Sequence, residues 1–336
     1  MSLRWLWIPV ALALVAAPAF LYPVFLMQAM CFAIFASAFN LLFGYTGLLS
    51  FGHAAYFGFA AYVCGWLLKA QGLSPELAIL AGGATSALLG LVIGALAVRR
   101  QGIIFAMITM AFSEVVYFIC LQAPFTGGED GMQAIPRNKL LGFIDLDNPW
   151  TLYYFVLAVT VACIWGVYRI VHSSFGQVLK AIRENEDRTI SLGYPVERFK
   201  LLAFVLSAAI SGIAGSTKVV VFQFATLTDA TWHKSGEVVL MTLLGGSGTL
   251  IGPTVGAFFV VTLNDVLSSL GEWVTFIIGA IFVACVLLFR KGLVGEVLVR
   301  WPRWTGRANP GTGDNAAAKS YAPPAGKAGT RPGNGD

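Results

Sequence analysis

The residues best able to do chemistry in this chain are few, and most of them lie inside apolar sequence. Asn40, Ser50 and His53 fall in one long uncharged run that is punctuated by Gly44, Gly47, Gly52 and Gly58. Polar side chains in such a run either tie helices together by hydrogen bonds or line the route of a transported solute. A helix broken at glycine would add free backbone donors and acceptors to that route. Glu114 and Lys218 are full charges inside apolar segments, where a charge is costly and faces a cavity or a partner. They fit a structural pair or a place beside a pathway, and the sequence leaves both open. Metal chemistry has no support. His53, His172 and His233 are far apart and no H-E-x-x-H occurs, and the cysteines, Cys31, Cys64, Cys120, Cys163 and Cys285, sit in apolar runs without C-x-x-C spacing. Gly245-Gly246-Ser247-Gly248 lacks the lysine of a phosphate loop and lies in apolar sequence.

The elements that position these residues follow from composition. The chain has 336 residues, 57% hydrophobic and only 12% charged. Soluble domains carry about 25% charged residues, so a soluble globule is excluded. From Trp5 to Leu68 there is no Lys, Arg, Asp or Glu. The apolar runs are unbroken, unlike the alternating strands of an outer-membrane barrel. The fold class expected is an all-α polytopic membrane protein with about nine or ten spans. The expected spans are 5–26, 29–44, 50–68, 77–98, 102–122, 151–168, 201–221, 236–250, 252–270 and 273–289. The first of these is read as an uncleaved span rather than a signal peptide. Segments 236–250 and 252–270 are read as two crossings or as one re-entrant hairpin.

With the amino terminus placed inside, the inner segments are 1–4, 45–49, 99–101, 169–200 and 290–336. They hold 17 of the 22 Lys and Arg, as the positive-inside rule requires. Both termini are then cytoplasmic. Two loops are long: 123–150 outside, leaning acidic, and 169–200 inside. The outer loops, notably Glu129, Asp130 and Lys234, would offer a dock to a soluble partner. The segment after Trp304 is rich in Gly, Pro and Ala, too poor in large apolar residues to order itself. The domain reading is therefore a membrane domain 1–304 and a disordered cytoplasmic tail 305–336. The excess of base reports inner loops, and nothing points to nucleic acid.

Residues 173–193 read as a short amphipathic helix held out into the cytoplasm, with Ser174 as its cap and Gly193, followed by Pro195, as its stop. Val178, Ala181, Ile182 and Asn185 share one face. The rest of the surface mixes acid and base, which suits a protein partner better than lipid.

Three stretches together resemble one family. They are Asn40 to Gly58 (NLLFGYTGLLSFGHAAYFG), Gly176 to Phe204 (GQVLKAIRENEDRTISLGYPVERFKLLAF) and Leu240 to Pro253 (LMTLLGGSGTLIGP). In this order and spacing they resemble the LivM-type permease subunits of ABC importers for branched-chain amino acids, over roughly residues 28–295. The one departure is Asp187 to Ser191, where the family has a run richer in alanine. The resemblance implies a translocation path and a coupling helix rather than an enzyme. It implies three kinds of partner beyond the bilayer: a second homologous permease subunit, two ABC ATPase subunits carrying ATP and Mg, and a periplasmic binding protein. Carried onto this sequence, Gly176, Ala181, Ile182, Arg183, Glu184 and Gly193 would couple to the ATPase. Asn40, Ser50, His53, Glu114 and Lys218 would belong to the path. The implied location is the bacterial inner membrane. Importers for urea, short amides or other amino acids are the nearest alternative. A chain working alone as a secondary transporter fits less well, because the inner loop suits a partner and no repeat of broken helices is evident.

Overall fold

The computed structural model describes Pro18 and residues 22–140, 142–267, 271, 273–288 and 292–294. The tail 305–336 and most of the expected first span 5–26 lie outside the described residues. Those residues are α-helical and contain no β-strand. The helices are α1 (Pro23–Thr46), α2 (His53–Ala70), α3 (Pro75–Ala97), α4 (Gly102–Gln122), α5 (Pro149–Val171), α6 (Ser174–Glu184), α7 (Glu186–Ser191), α8 (Val196–Phe222), α9 (Trp232–Gly245), α10 (Gly252–Leu267) and α11 (Trp273–Leu288). Short 3₁₀ turns occur at Gly128–Asp130 and Leu227–Ala230. Five helices, α1, α3, α4, α5 and α8, are long and apolar enough to cross a bilayer.

α1 is the axis of the bundle. Proline at its first position fits the helix start, where no N–H partner is needed. Gly47, in the left-handed conformation, stops it. Its 24 residues span about 36 Å. It is buried on all sides, against α8, α10, α5, α9 and α6, so it is apolar all round. The expected break at 26–29 is absent, because nothing in 23–46 interrupts the backbone ladder. The inner run 29–44 is the body of a longer helix.

α8 is the second hub, packed on α1, α2 and α3. α3 meets α8 through small residues. A Cβ on Gly82 would fall on the Ser216 hydroxyl, and one on Gly212 would lie 2.5 Å from the Ser86 side chain. Small-residue packing of this kind lets two helices approach closely within a bilayer.

α9 and α10, of 14 and 16 residues, are each shorter than the roughly 20 residues of a full crossing. They fold back on each other as a hairpin. A Cβ on Gly256 would strike the Met241 carbonyl, and one on Gly245 the Gly252 carbonyl. Segments 236–250 and 252–270 are thus antiparallel neighbours, as both alternatives expected for them require. Both helices pack against α1.

Residues 123–148 lie across one end of the bundle and are pinned there. Met132 and Ala225 exchange backbone hydrogen bonds of 2.9 and 2.8 Å. Arg137 donates to the carbonyls of Val220 (3.1 Å) and Val221 (2.5 Å), which satisfies the end of α8 with a cation where the helix dipole favours one. Burial pulls the Arg137 pKa below its usual value, and Asp147 partly opposes this. α6 and α7 lie at the opposite end.

Candidate functional site

At the α6 end the three sequence motifs meet. Asn40, inside α1, donates from Nδ2 to the Thr249 carbonyl (2.8 Å) and accepts at Oδ1 from the Gly248 N–H (2.9 Å). One amide side chain thus clamps the loop that joins α9 to α10. Arg183, on α6, donates from Nη1 to the Gly44 carbonyl at the end of α1. Its side chain also packs over Gly47 and Gly248, where Cβ atoms would stand 3.4 Å from Cγ and 2.9 Å from Nη1. Both glycines have positive φ, +81° and +80°, which other residues adopt only at a cost. Lys180 adds a cation–π contact, its Nζ 5.9 Å from the Tyr45 ring. A single guanidinium therefore bridges α6, the stop of α1 and the α9–α10 loop.

The expected single helix over 173–193 is two helices. Ser173, not Ser174, caps α6, accepting from the Gly176 N–H at 3.4 Å. Asn185 breaks the ladder and caps α7, accepting from the Arg188 N–H at 3.0 Å. Ser and Asn compete for backbone donors in this way wherever they stand beside a helix start. Lys200, buried at the foot of α8, is paired with Glu186 at 2.5 Å and holds α7 in place. Gly176 is wedged against α5, where a Cβ would strike the Val171 carbonyl. Gly193 has φ +85° and open space around it, so backbone conformation alone demands glycine there. Leu179 and Ile182 point into the bundle and are buried. Ala181 and Glu184 point outward. Ile190, Leu192 and Tyr194 are exposed beside them, forming an apolar edge that the sequence reading did not single out.

The other candidate residues separate. Ser50 is buried and accepts from the Gly52 N–H (3.2 Å). It is one of three hydroxyls that satisfy the start of α2: Thr109 accepts from Phe51 (3.2 Å) and Ser235 from Ala54 (2.9 Å). His53 is buried with Nε2 2.8 Å from the Ser207 hydroxyl. Ser207 donates its only proton to the Ala38 carbonyl (2.5 Å), so His53 is the donor through Nε2. His53 thus ties α2 to α8, and Ser50 holds the turn that leads into α2. Through Ser207 and the Ala38 carbonyl, His53 sits six residues of α1 above Gly44, about 9 Å, so α2 starts inside the bundle rather than at its end.

Glu114 and Lys218 do not meet. Lys218 is paired with Asp229 of the 227–230 turn, at 2.5 and 2.6 Å to its two oxygens. Thr226 donates to the same carboxylate at 3.2 Å. Three phenyl rings, Phe32, Phe57 and Phe222, surround the ammonium with centroids at 5.9–6.0 Å. The pair is shut away and closes the α8–α9 connection. Glu114 is half-buried on α4 and makes no hydrogen bond or ion pair with the described residues. Lys234, expected on an outer loop, lies in the first turn of α9. It is paired with Glu237 at 2.6 Å, its Nζ 5.1 Å from the Phe32 centroid. Glu129 and Asp130 are exposed. No group of His, Cys, Asp and Glu among the described residues could hold a metal ion.

Residues 21–286 match the model of the family described as "Branched-chain amino acid transport system / permease component". The chain belongs to this family of transport permeases. It is 26% identical over 288 residues to the high-affinity branched-chain amino acid transport system permease LivM of Salmonella typhimurium, covering 79% of this chain and 68% of the relative. It is also 24% identical over 202 residues to the ribose import permease RbsC of Escherichia coli K12, covering 58% and 61%. To the autoinducer 2 import permease LsrC of Klebsiella pneumoniae it is 28% identical over 193 residues, 53% of each chain. No solved structure matches. These relatives are transport subunits and not enzymes.

For a permease of this family, the junction at Arg183 is the feature hidden from sequence. The motifs were visible, but their convergence was not, since Asn40 and Gly248 are 208 positions apart. The Lys234–Glu237 pair had a visible signal, two opposite charges three residues apart before an apolar run. It read as a loop edge because α9 begins at Trp232.

Proposed function

We propose that the chain is one of two membrane-spanning subunits of an ABC importer for branched-chain amino acids such as leucine, isoleucine and valine. It would sit in the bacterial inner membrane with both termini and residues 172–195 in the cytoplasm. Its partners would be a second permease, two ATPase subunits holding ATP and Mg, and a periplasmic binding protein. The observation that carries this reading is the bridge from α6 through Arg183 to Gly44 and the 246–249 loop. It supplies a mechanical link between an exposed cytoplasmic element and the axis of the bundle. Ala181, Glu184 and the edge Ile190, Leu192 and Tyr194 form the face offered to the ATPase. Gly176 and Gly193 set the position and exit of that element, and Ile182 anchors it. Closure of the ATPase dimer pushes the element, and Arg183 passes the movement to α1 and to the α9–α10 hairpin. Affinity for the closed ATPase then biases the permease between its inward- and outward-open states.

The test is uptake by the full importer in vesicles. A Glu184→Lys, Gly193→Val double variant should assemble but lose at least tenfold in leucine uptake, with ATPase activity altered rather than abolished. Normal uptake would sink the assignment. The similarity to the LivM relatives favours amino acids over the sugars named for the ribose and autoinducer relatives. Within amino-acid-like solutes, urea and short amides are the alternative. Identifying the ligand carried by the cognate binding protein decides between them.

A further inference from the structure

We propose that Lys234 and Glu237 of α9 form a binding step for the zwitterionic head group of an amino acid, part-way across the membrane. This rests on the reading of the chain as an amino-acid permease. Eleven residues of α9 separate Lys234 from Gly245 at the Arg183 junction, about 17 Å of helix. In a hydrocarbon layer of about 30 Å this places the pair deep in the membrane. Yet both side chains keep 22% of their surface open. Charges at that depth do not face lipid; they face water or a partner. A second half-buried charge, Glu114, lies at a similar level: twelve residues, about 18 Å, along α4 from Gly102. α4 packs against both α9 and the 227–230 turn. Two unrelated helices thus carry charge into the same layer on neighbouring faces.

The pair has spare capacity of the right kind. Lys234 has three N–H donors, and its one hydrogen bond among the described residues is to Glu237 Oε2. Glu237 accepts that bond on one oxygen and one from Asn264 Nδ2 (3.1 Å) on the other, leaving further lone pairs free. A zwitterion can lie antiparallel to the pair, its carboxylate on Lys234 and its ammonium on Glu237. Four alternating charges then form a closed square without breaking the existing bond. The Lys218–Asp229 pair nearby cannot do this. Its Asp229 is 3% exposed, and both of its oxygens are taken by Lys218. The buried Phe32 ring holds the Lys234 ammonium in place, its centroid 5.1 Å from Nζ.

The experiment uses the complete importer, with its ATPase and binding protein, in lipid vesicles. The double variant Lys234→Met, Glu237→Leu replaces the ion pair by apolar side chains, which preserves or raises stability when a pair is only structural. It should unfold at or above the wild-type temperature and keep ATPase stimulation by loaded binding protein within twofold. Leucine uptake should fall tenfold or more. Glu237→Gln keeps the shape and the Asn264 contact and should raise the KM for uptake at least tenfold. Wild-type uptake by either variant overturns the proposal. A wild-type importer that carries a sugar and not leucine overturns the amino-acid reading instead, and shows it without any variant.

Discussion

Asn40 is the residue on which most of the junction turns. Asn40→Leu would leave the half-buried Gly248 N–H and Thr249 carbonyl without their partner, costing about 1–2 kcal/mol. The expected readout is a lower unfolding temperature in detergent, and an unchanged temperature would deny the clamp a stabilising role. Lys218 and Asp229 allow a sharper test. Lys218→Met alone strands a buried carboxylate and should cost about 3–5 kcal/mol. Lys218→Met with Asp229→Leu should recover most of that loss in the same measurement. At this scale the sequence was partly legible. It marked Asn40, Ser50, His53 and Lys218 as polar groups in apolar runs, which is a local property. The distant partners, Gly248 and Thr249 for Asn40, Ser207 for His53 and Asp229 for Lys218, were not legible, because which hydroxyl, carbonyl or carboxylate meets which donor depends on how helices cross. Whether Glu114 and Lys218 pair was open in the sequence, and the structure gives Lys218 another partner. Asp229, in a turn, carried no such signal.

At the level of elements, glycines of one type play opposite parts. Gly82 on α3 stands against Ser216 of α8, so Gly82→Leu should force the two helices apart and cost about 1–3 kcal/mol. Gly166 on α5 has open space where its Cβ would be. Gly166→Ala should therefore be neutral or stabilise by up to about 1 kcal/mol through helix propensity. Thermal unfolding of the two variants side by side checks both signs, and a loss at Gly166 as large as that at Gly82 would contradict the packing described. Most helices could be placed from hydropathy to within a few residues: 102–122 against α4 at Gly102–Gln122, and 273–289 against α11 at Trp273–Leu288. Where placement failed, backbone hydrogen bonding was the cause. Asn185 splits the expected helix into α6 and α7 because its side chain competes for the Arg188 N–H. α1 runs through the expected gap at 26–29 because hydropathy does not mark a break that the backbone does not make.

On the scale of the whole molecule, the helices differ in how far they are wrapped. The most apolar window of α1 is 83% buried and that of α5 only 22%. A photoactivated carbene confined to the lipid phase should label α5 heavily and α1 hardly at all. Equal labelling would mean that α1 is not the axis. Hydropathy could not reveal this order, since both helices are equally greasy; what differs is which neighbours return to cover them. That delay has a consequence for synthesis. α1 leaves the ribosome early, whereas α8, α9 and α10 follow only after more than half the chain has been made. Until then Asn40 waits with its amide unmet, and the helix meant for the centre stands at the rim. The bundle therefore cannot mature in the order in which it is translated. Its keystone is laid first and locked last, so a ribosome that stalls before Gly248 releases a protein whose central helix is still a recognisable mark for quality-control proteases.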